Sequence, residues 1–176
     1  MLRSALICLL AALGFASFPR VAFAHGDQST FELGGALSGS WSDSGQPRLA
    51  NLKLPARYFV FDGANLGLEA RFWPSGSYPL SQESGSAVAT GIDGQIYFVN
   101  RARLGAYVGG ALLWAPSHTQ LILSPEVGVR YFITKKVAIG ASYEILTDLG
   151  SFLLSVQPTS TSGSTQSLGV GLVFEI

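Results

Sequence analysis

PEVGVRYFITKKVAIG, residues 125–140, decides the fold. At a period of two, Val127, Val129 and Tyr131 fall on one face and Glu126, Gly128 and Arg130 on the other. Side chains alternate across a β-strand, so this is a strand with one greasy face and one charged face. Thr134-Lys135-Lys136 then makes a tight turn, and Val137 and Ile139 resume the apolar phase. The unit is an antiparallel hairpin.

The same alternation extends in both directions, interrupted by Gly, Ser, Pro, Asn and Asp clusters, and it predicts eight strands. They run Phe31–Trp41, Asn51–Phe61, Leu66–Trp73, Ala87–Val99, Arg103–Ala115, Leu121–Ile133, Val137–Leu146 and Gln166–Ile176. The apolar face of the third carries Leu66, Leu68 and Phe72, that of the fourth Val88, Ile92, Ile96 and Phe98, and that of the last Leu168, Val170, Leu172, Phe174 and Ile176. Glu32, Lys53, Arg57, Glu69, Arg71, Asp93, Glu126, Arg130, Glu144 and Glu175 all have the opposite parity. One face is therefore apolar and the other carries every strand charge.

Composition says which face meets which solvent. Of 176 residues, 48% are apolar and 12% charged, against about 25% charged in a soluble domain. The length allows one domain plus a leader, and the apolar content excludes a disordered chain. Lys+Arg and Asp+Glu balance at 11 each without a basic patch, which excludes a nucleic-acid binder. A soluble barrel with its greasy face inward is the competing reading. Eight aromatic-rich apolar faces would overfill so narrow an interior. Gly67, Gly91, Gly105, Gly109, Gly128, Gly140, Gly169 and Gly171 share the charged parity and suit a narrow lumen. In lipid every backbone N–H and C=O must be paired internally, and only helices or closed barrels achieve this. Strands of this length cross the hydrocarbon when tilted. The fold class is an all-β, eight-stranded antiparallel up-and-down transmembrane barrel. It requires Leu68, Ile96, Val129 and Leu172 outside, and Arg71 and Arg130 inside.

The first 24 residues read as a signal peptide. Arg3 precedes an apolar run over Ala5–Phe18, and Ala22-Phe23-Ala24 places small residues where a signal peptidase cuts, before His25. Cys8 follows Ile7 and does not fit a lipid-attachment site. The mature chain, 25–176, holds no cysteine, so no disulfide framework stabilises it. Short connections at 62–65, 100–102 and 134–136 alternate with longer ones at 42–50, 74–86, 116–120 and 147–165. Short turns belong to the periplasmic side of such barrels, which predicts a bacterial outer-membrane location with both mature termini in the periplasm. Trp41, Trp73 and Trp114 end upward strands, and Phe31, Phe98, Tyr131 and Phe174 lie at the other end. These are the expected interface aromatics, since amphipathic rings collect at membrane boundaries.

Residues 29–176 resemble the small outer-membrane β-barrel family that includes outer membrane proteins A (its membrane domain), X and W. The hairpin Pro125–Gly140 and the closing strand Gly169-Val170-Gly171-Leu172-Val173-Phe174-Glu175-Ile176 carry the likeness. The resemblance implies that Gly171, Phe174 and Ile176 form the signal read by the barrel-assembly machinery. Ile176 stands where that pattern usually has Phe, and Gly169 where it prefers a polar residue. It also implies outer-membrane lipid and lipopolysaccharide as surroundings.

The chemistry on offer is the lumen charge network: Lys53, Arg57, Glu69, Arg71, Asp93, Glu126, Arg130 and Glu144. Buried charges persist when paired, which predicts Arg57–Glu69 and Arg71–Asp93 contacts across neighbouring strands. Counting from the periplasmic ends puts Arg57, Glu69, Arg71, Asp93 and Arg130 in a lower-middle layer, with Lys53, Glu126 and Glu144 higher. Glu126 and Glu144 fall at matching height on adjacent strands, so one must hold a proton or both must engage a cation such as Lys53. The network reads as a salt-bridged plug in preference to a conduit. Catalytic residues are not expected. Ser117-His118 is the one nucleophile–base candidate, yet some lipid A deacylases of this size carry His-x-Ser, and the order here is Ser-His-Thr. His25 and Asp27 are too few for a metal site, and no cofactor motif is present. The function expected is a structural and surface-interaction role, through envelope integrity and loop contacts with an extracellular ligand. A lipid-modifying hydrolase and a small transport barrel for apolar solutes are the alternatives.

Overall fold

The computed structural model describes residues 30–41, 47–74, 86–101, 103–149 and 164–176. The expected leader, Cys8, His25, Asp27 and most of three long connections lie outside the described residues. Eight strands form: β1 (Phe31–Trp41), β2 (Pro47–Phe61), β3 (Ala64–Trp73), β4 (Ala87–Arg101), β5 (Leu104–Ala115), β6 (Gln120–Phe132), β7 (Val137–Asp148) and β8 (Ser164–Glu175). Each pairs antiparallel with the next, and β8 returns to β1, closing the barrel without a free edge. Closure satisfies every ladder, as a hydrocarbon surrounding demands.

The boundaries differ from the sequence reading mainly at the long-connection end. There β2 starts at Pro47 rather than Asn51, with Pro47 opposite Trp41 and Arg48 opposite Ser40. Backbone pairing needs no alternating pattern, so the ladder continues where the pattern stops. At the opposite rim β2 and β3 are joined by Asp62 and Gly63 alone. Gly63 takes φ 76°, a conformation that L side chains rarely adopt. Pro116–His118 forms a single 3-10 turn, closed by Thr119 in the left-handed region.

The wall divides as its parity requires. Leu68 is 67% exposed, and Ile96, Val129 and Leu172 are roughly half exposed, whereas Arg71 is 1% exposed and Arg130 is buried with it. Phe31, Phe98, Trp114, Tyr131 and Phe174 also sit on the outer face. The Trp41 side chain lies outside the described side chains. Trp73 corrects the expected aromatic belt: it is 0% exposed and points inward. It shares the parity of Glu69 and Arg71, and the strand's alternation overrides the preference of an indole for the interface.

The interior is stacked in zones. At the short-turn end Phe59, Tyr97 and Tyr107 form one apolar cluster, and Phe132, Ala138 and Val173 another. At the long-connection end Trp73, Leu113, Ile122 and Leu146 pack among Ala87, Ala89, Ala111 and Ala115. Between them lies a slab of charge. The inner face therefore carries apolar side chains at both ends as well as the charges between them.

Candidate functional site

The slab is built by neighbouring strands that present charges at matched registers. Arg57, Gly67 and Asp93 occupy one row across β2, β3 and β4. A Cβ on Gly67 would lie 2.1 Å from the Ala56 carbonyl oxygen and 2.6 Å from the Arg57 Cα, so only glycine admits this close approach. Across it Arg57 Nε donates to Asp93 Oδ2. Arg57 Nη1 donates to Glu32 Oε1 at 2.7 Å, and Glu69 Oε2 lies 3.7 Å from Nη2. One guanidinium thus faces three carboxylates.

Glu32 is the second node. Besides Arg57 it accepts from Arg130, through Nη1 to Oε2 and through Nη2 to Oε1 at 3.0 Å. Arg130 Nη2 also donates to Gln95 Oε1 at 2.7 Å, and its guanidinium stands 5.3 Å and 5.0 Å from the ring centroids of Tyr97 and Tyr107. The cation is held between a bidentate carboxylate and two aromatic faces, an arrangement suited to arginine and not to lysine.

A third node ties opposite walls together. Glu126 and Glu144 are direct partners on β6 and β7. Lys53, reaching from β2, donates to Glu126 Oε2 at 2.9 Å and to Glu144 Oε2 at 3.0 Å. Of the two possibilities left open for this pair, the shared cation is the one present. Tyr107 donates its hydroxyl to Glu126 Oε1 at 2.8 Å, and Ser124 donates to Glu144 Oε2 at 3.0 Å. Tyr107 is itself opposite Gly128, where a Cβ would fall 2.4 Å from its ring. The missing side chain leaves room for the phenol to lie across the strand.

Arg71 departs from its expected partner. It donates to Glu69 through Nε and lies 2.9 Å from Glu144 Oε2 through Nη2, and it makes no ion pair with Asp93. Its Cα partner on β4 is Ala89, four residues along the strand from Asp93, while on β2 it is Lys53. Arg71 therefore belongs to the Lys53 level, above the layer assigned to it. Arg57 and Glu69 are in reach of one another, as noted, though Glu32 and Asp93 lie nearer that guanidinium. Glu32 is absent from the expected network. Its parity marked it as inward, but nothing in the sequence showed that two arginines would converge on it.

Elsewhere the interior offers little chemistry. A cavity of about 40 Å³ remains beside Lys53, Arg57, Arg130, Tyr107 and Glu126, backed by Gly34, Gly140 and Gly171. Among the described residues no group of three or more His, Cys, Asp or Glu could hold a metal ion. Ser117 is exposed and His118 half-buried on the 3-10 turn, outside the slab. Phe174 and Ile176 point outward at the end of β8, and Gly171 faces inward against Ala36.

Residues 8–175 match the family model described as the outer membrane protein beta-barrel domain. No curated protein matches the sequence. Among solved structures the chain is similar to the N-terminal β-barrel domain of Pseudomonas aeruginosa OprF, at 14% identity and TM-score 0.60 over 85% of this chain and 98% of that one. It is similar to Neisserial surface protein A at 15% identity and TM-score 0.57, over 84% and 96%. A de novo designed transmembrane β-barrel matches at 12% and 0.59, over 85% and 98%. At these identities the likeness is one of fold.

Proposed function

Because the chain belongs to the outer-membrane protein β-barrel family, we propose that it is a sealed, non-enzymatic surface protein of the bacterial outer membrane. It contributes to envelope integrity and presents its long connections to extracellular ligands and lipopolysaccharide. The short-turn rim and both mature termini face the periplasm, and Gly171, Phe174 and Ile176 deliver the strand signal to the barrel-assembly machinery.

One observation carries this reading: the lumen is occupied along its length. Among the described residues, apolar clusters flank an ion-paired slab at both ends, and the cavity beside Lys53, Arg57 and Arg130 is about 40 Å³. That is room for a water or two and not for a solute. A small transport barrel with an axial route is disfavoured by the same packing. The hydrolase alternative needs Ser117 and His118 as a working pair, and they are neighbours on one short 3-10 turn at the loop end.

Planar-bilayer recording tests the seal. The purified barrel is expected to give no stepwise current, and reproducible single-channel steps would overturn the sealed reading. Mass spectrometry of lipid A tests the rest. Cells expressing the wild type and the Ser117→Ala and His118→Ala variants are expected to show identical lipid A, and a wild-type-only product would establish the enzyme instead.

A further inference from the structure

Closure gives every strand two neighbours, yet the β1–β2 ladder is interrupted inside the wall. Its Cα partners run as far as Leu33 and Ala56 and resume at Ala36 and Lys53. The skipped stretch sets Gly34 and Gly35 against Leu54 and Pro55. In an antiparallel sheet, successive residues turn their N–H and C=O to opposite neighbours. Phe31 exchanges both of its backbone bonds with Ile176, and the Phe59 N–H donates to the Thr30 carbonyl at 3.0 Å. Odd-numbered residues of β1 therefore bond to β8 and even-numbered ones to β2, so Gly34 faces Pro55. Proline has no N–H, and the Gly34 carbonyl is left without its ladder donor. In a wall bathed by hydrocarbon, that acceptor has to be satisfied from the inside.

The lumen side supplies the means. Pro55 is buried between Lys53 and Arg57 on the inner face of β2. The cavity of about 40 Å³ is lined by all three, together with Gly34 and Gly35. Its room comes from small inward residues, for Gly140 is opposite Gly171 and Gly171 is opposite Ala36. An ammonium group has three N–H donors, and Lys53 gives one to Glu126 and one to Glu144. A third remains on the side chain next to the interrupted rung.

We propose that this cavity is a binding site for one ordered water, which donates to the Gly34 carbonyl and accepts from Lys53 or Arg57. The water completes, from the lumen, the rung that Pro55 omits, and so ties the wall to the charged slab. About 40 Å³ is room for such a molecule, and charged and polar partners surround it. The ligand is neutral: Lys53, Arg57 and Arg130 repel a cation there, while Glu126 and the carbonyl oxygen repel an anion. Pro125 interrupts the β6–β7 ladder in the same manner, but its ring is exposed on the outer face and does not line this cavity. It serves as the control. The inference rests on hydrocarbon around the wall and not on the seal of the lumen, so a dry Gly34 would leave the conductance record as it stands.

Two measurements on the full barrel test it. In a crystal structure that resolves ordered waters, the wild type is expected to show one within hydrogen-bond distance of the Gly34 oxygen and of Lys53 Nζ or an Arg57 nitrogen. In Pro55→Ala the restored amide donates to Gly34 and the water loses that contact, whereas Pro125→Ala keeps it. Water-to-amide cross-relaxation by NMR in lipid nanodiscs reads the same site within a bilayer. A long-lived water signal is expected at the Gly34 and Gly35 amides of the wild type and of Pro125→Ala, and its loss in Pro55→Ala. A Gly34 oxygen bonded directly to a slab side chain overturns the proposal. So does a wild type without the signal, or a signal that Pro55→Ala leaves unchanged.

Discussion

Two parts of the interior are buried to the same depth by different means. The slab around Arg57 and Lys53 is held by charges that each answer several partners. The cluster around Trp73 is held by volume, a large ring among alanines with Leu113, Ile122 and Leu146. In the first, the cost of change depends on what is left unpaired. In the second it depends on the space left behind. A narrow barrel needs both: ion pairs alone would leave wet ends, and an apolar filling alone would leave nothing to fix which strands face one another across the lumen.

The largest test of the contrast is Lys53→Met. It removes the ammonium that two directly opposed carboxylates share, and methionine fills much of the same length. Breaking a buried pair by deleting one partner typically costs about 3–5 kcal/mol, and about 4 is expected here from urea unfolding in vesicles, followed by heat-modifiable gel migration. Adding Glu126→Gln to Lys53→Met is expected to restore a large part of the loss, because it removes one of the stranded charges. Simple additivity of the two would show the slab to be ordinary packing.

Trp73→Ala is the matching test at the other end. Removing a buried aromatic costs about 3 kcal/mol or somewhat more, and the alanines around it have little side chain with which to fill the hole. Here no second substitution of a charged residue should compensate, and Trp73→Ala combined with Lys53→Met is expected to cost the sum of the two. A strong coupling would mean that the zones act as one unit.

The two zones also differ in how far the sequence reveals them. Parity alone put Lys53, Arg57, Asp93 and Arg130 on the inner face, because ionised groups in a wall bathed by hydrocarbon have one direction to point. Which charge meets which depends on register, and register across several strands depends on bulges such as those at Ser38/Gly39 and Phe59/Phe61. The Arg71–Asp93 pairing failed there, for want of the row that places Ala89 opposite Arg71. Trp73 departs from the aromatic belt for another reason. It sits at the end of a strand beside outward Phe72, and its place in the alternation turns it inward against the preference of an indole for the interface. Glu32 had the right parity, yet its role arises from Arg57 and Arg130, 25 and 98 residues away.

The smallest effect joins the two descriptions. Gly128 carries no charge and fills no volume, yet a Cβ there would sit 2.4 Å from the Tyr107 ring and its hydroxyl oxygen. Gly128→Ala must push that ring aside, lengthening the bond to Glu126 and disturbing the face on which Arg130 rests. Overpacking of this kind costs about 1–3 kcal/mol, and about 2 is expected. Tyr107→Phe keeps the ring and loses only the hydroxyl, so it should cost about 1 kcal/mol. If Gly128→Ala/Tyr107→Phe destabilises no more than Gly128→Ala alone, the glycine acts by seating the phenol on Glu126. If the two costs add, its contribution is room for the ring, and the slab borrows from packing what it was taken to owe to charge.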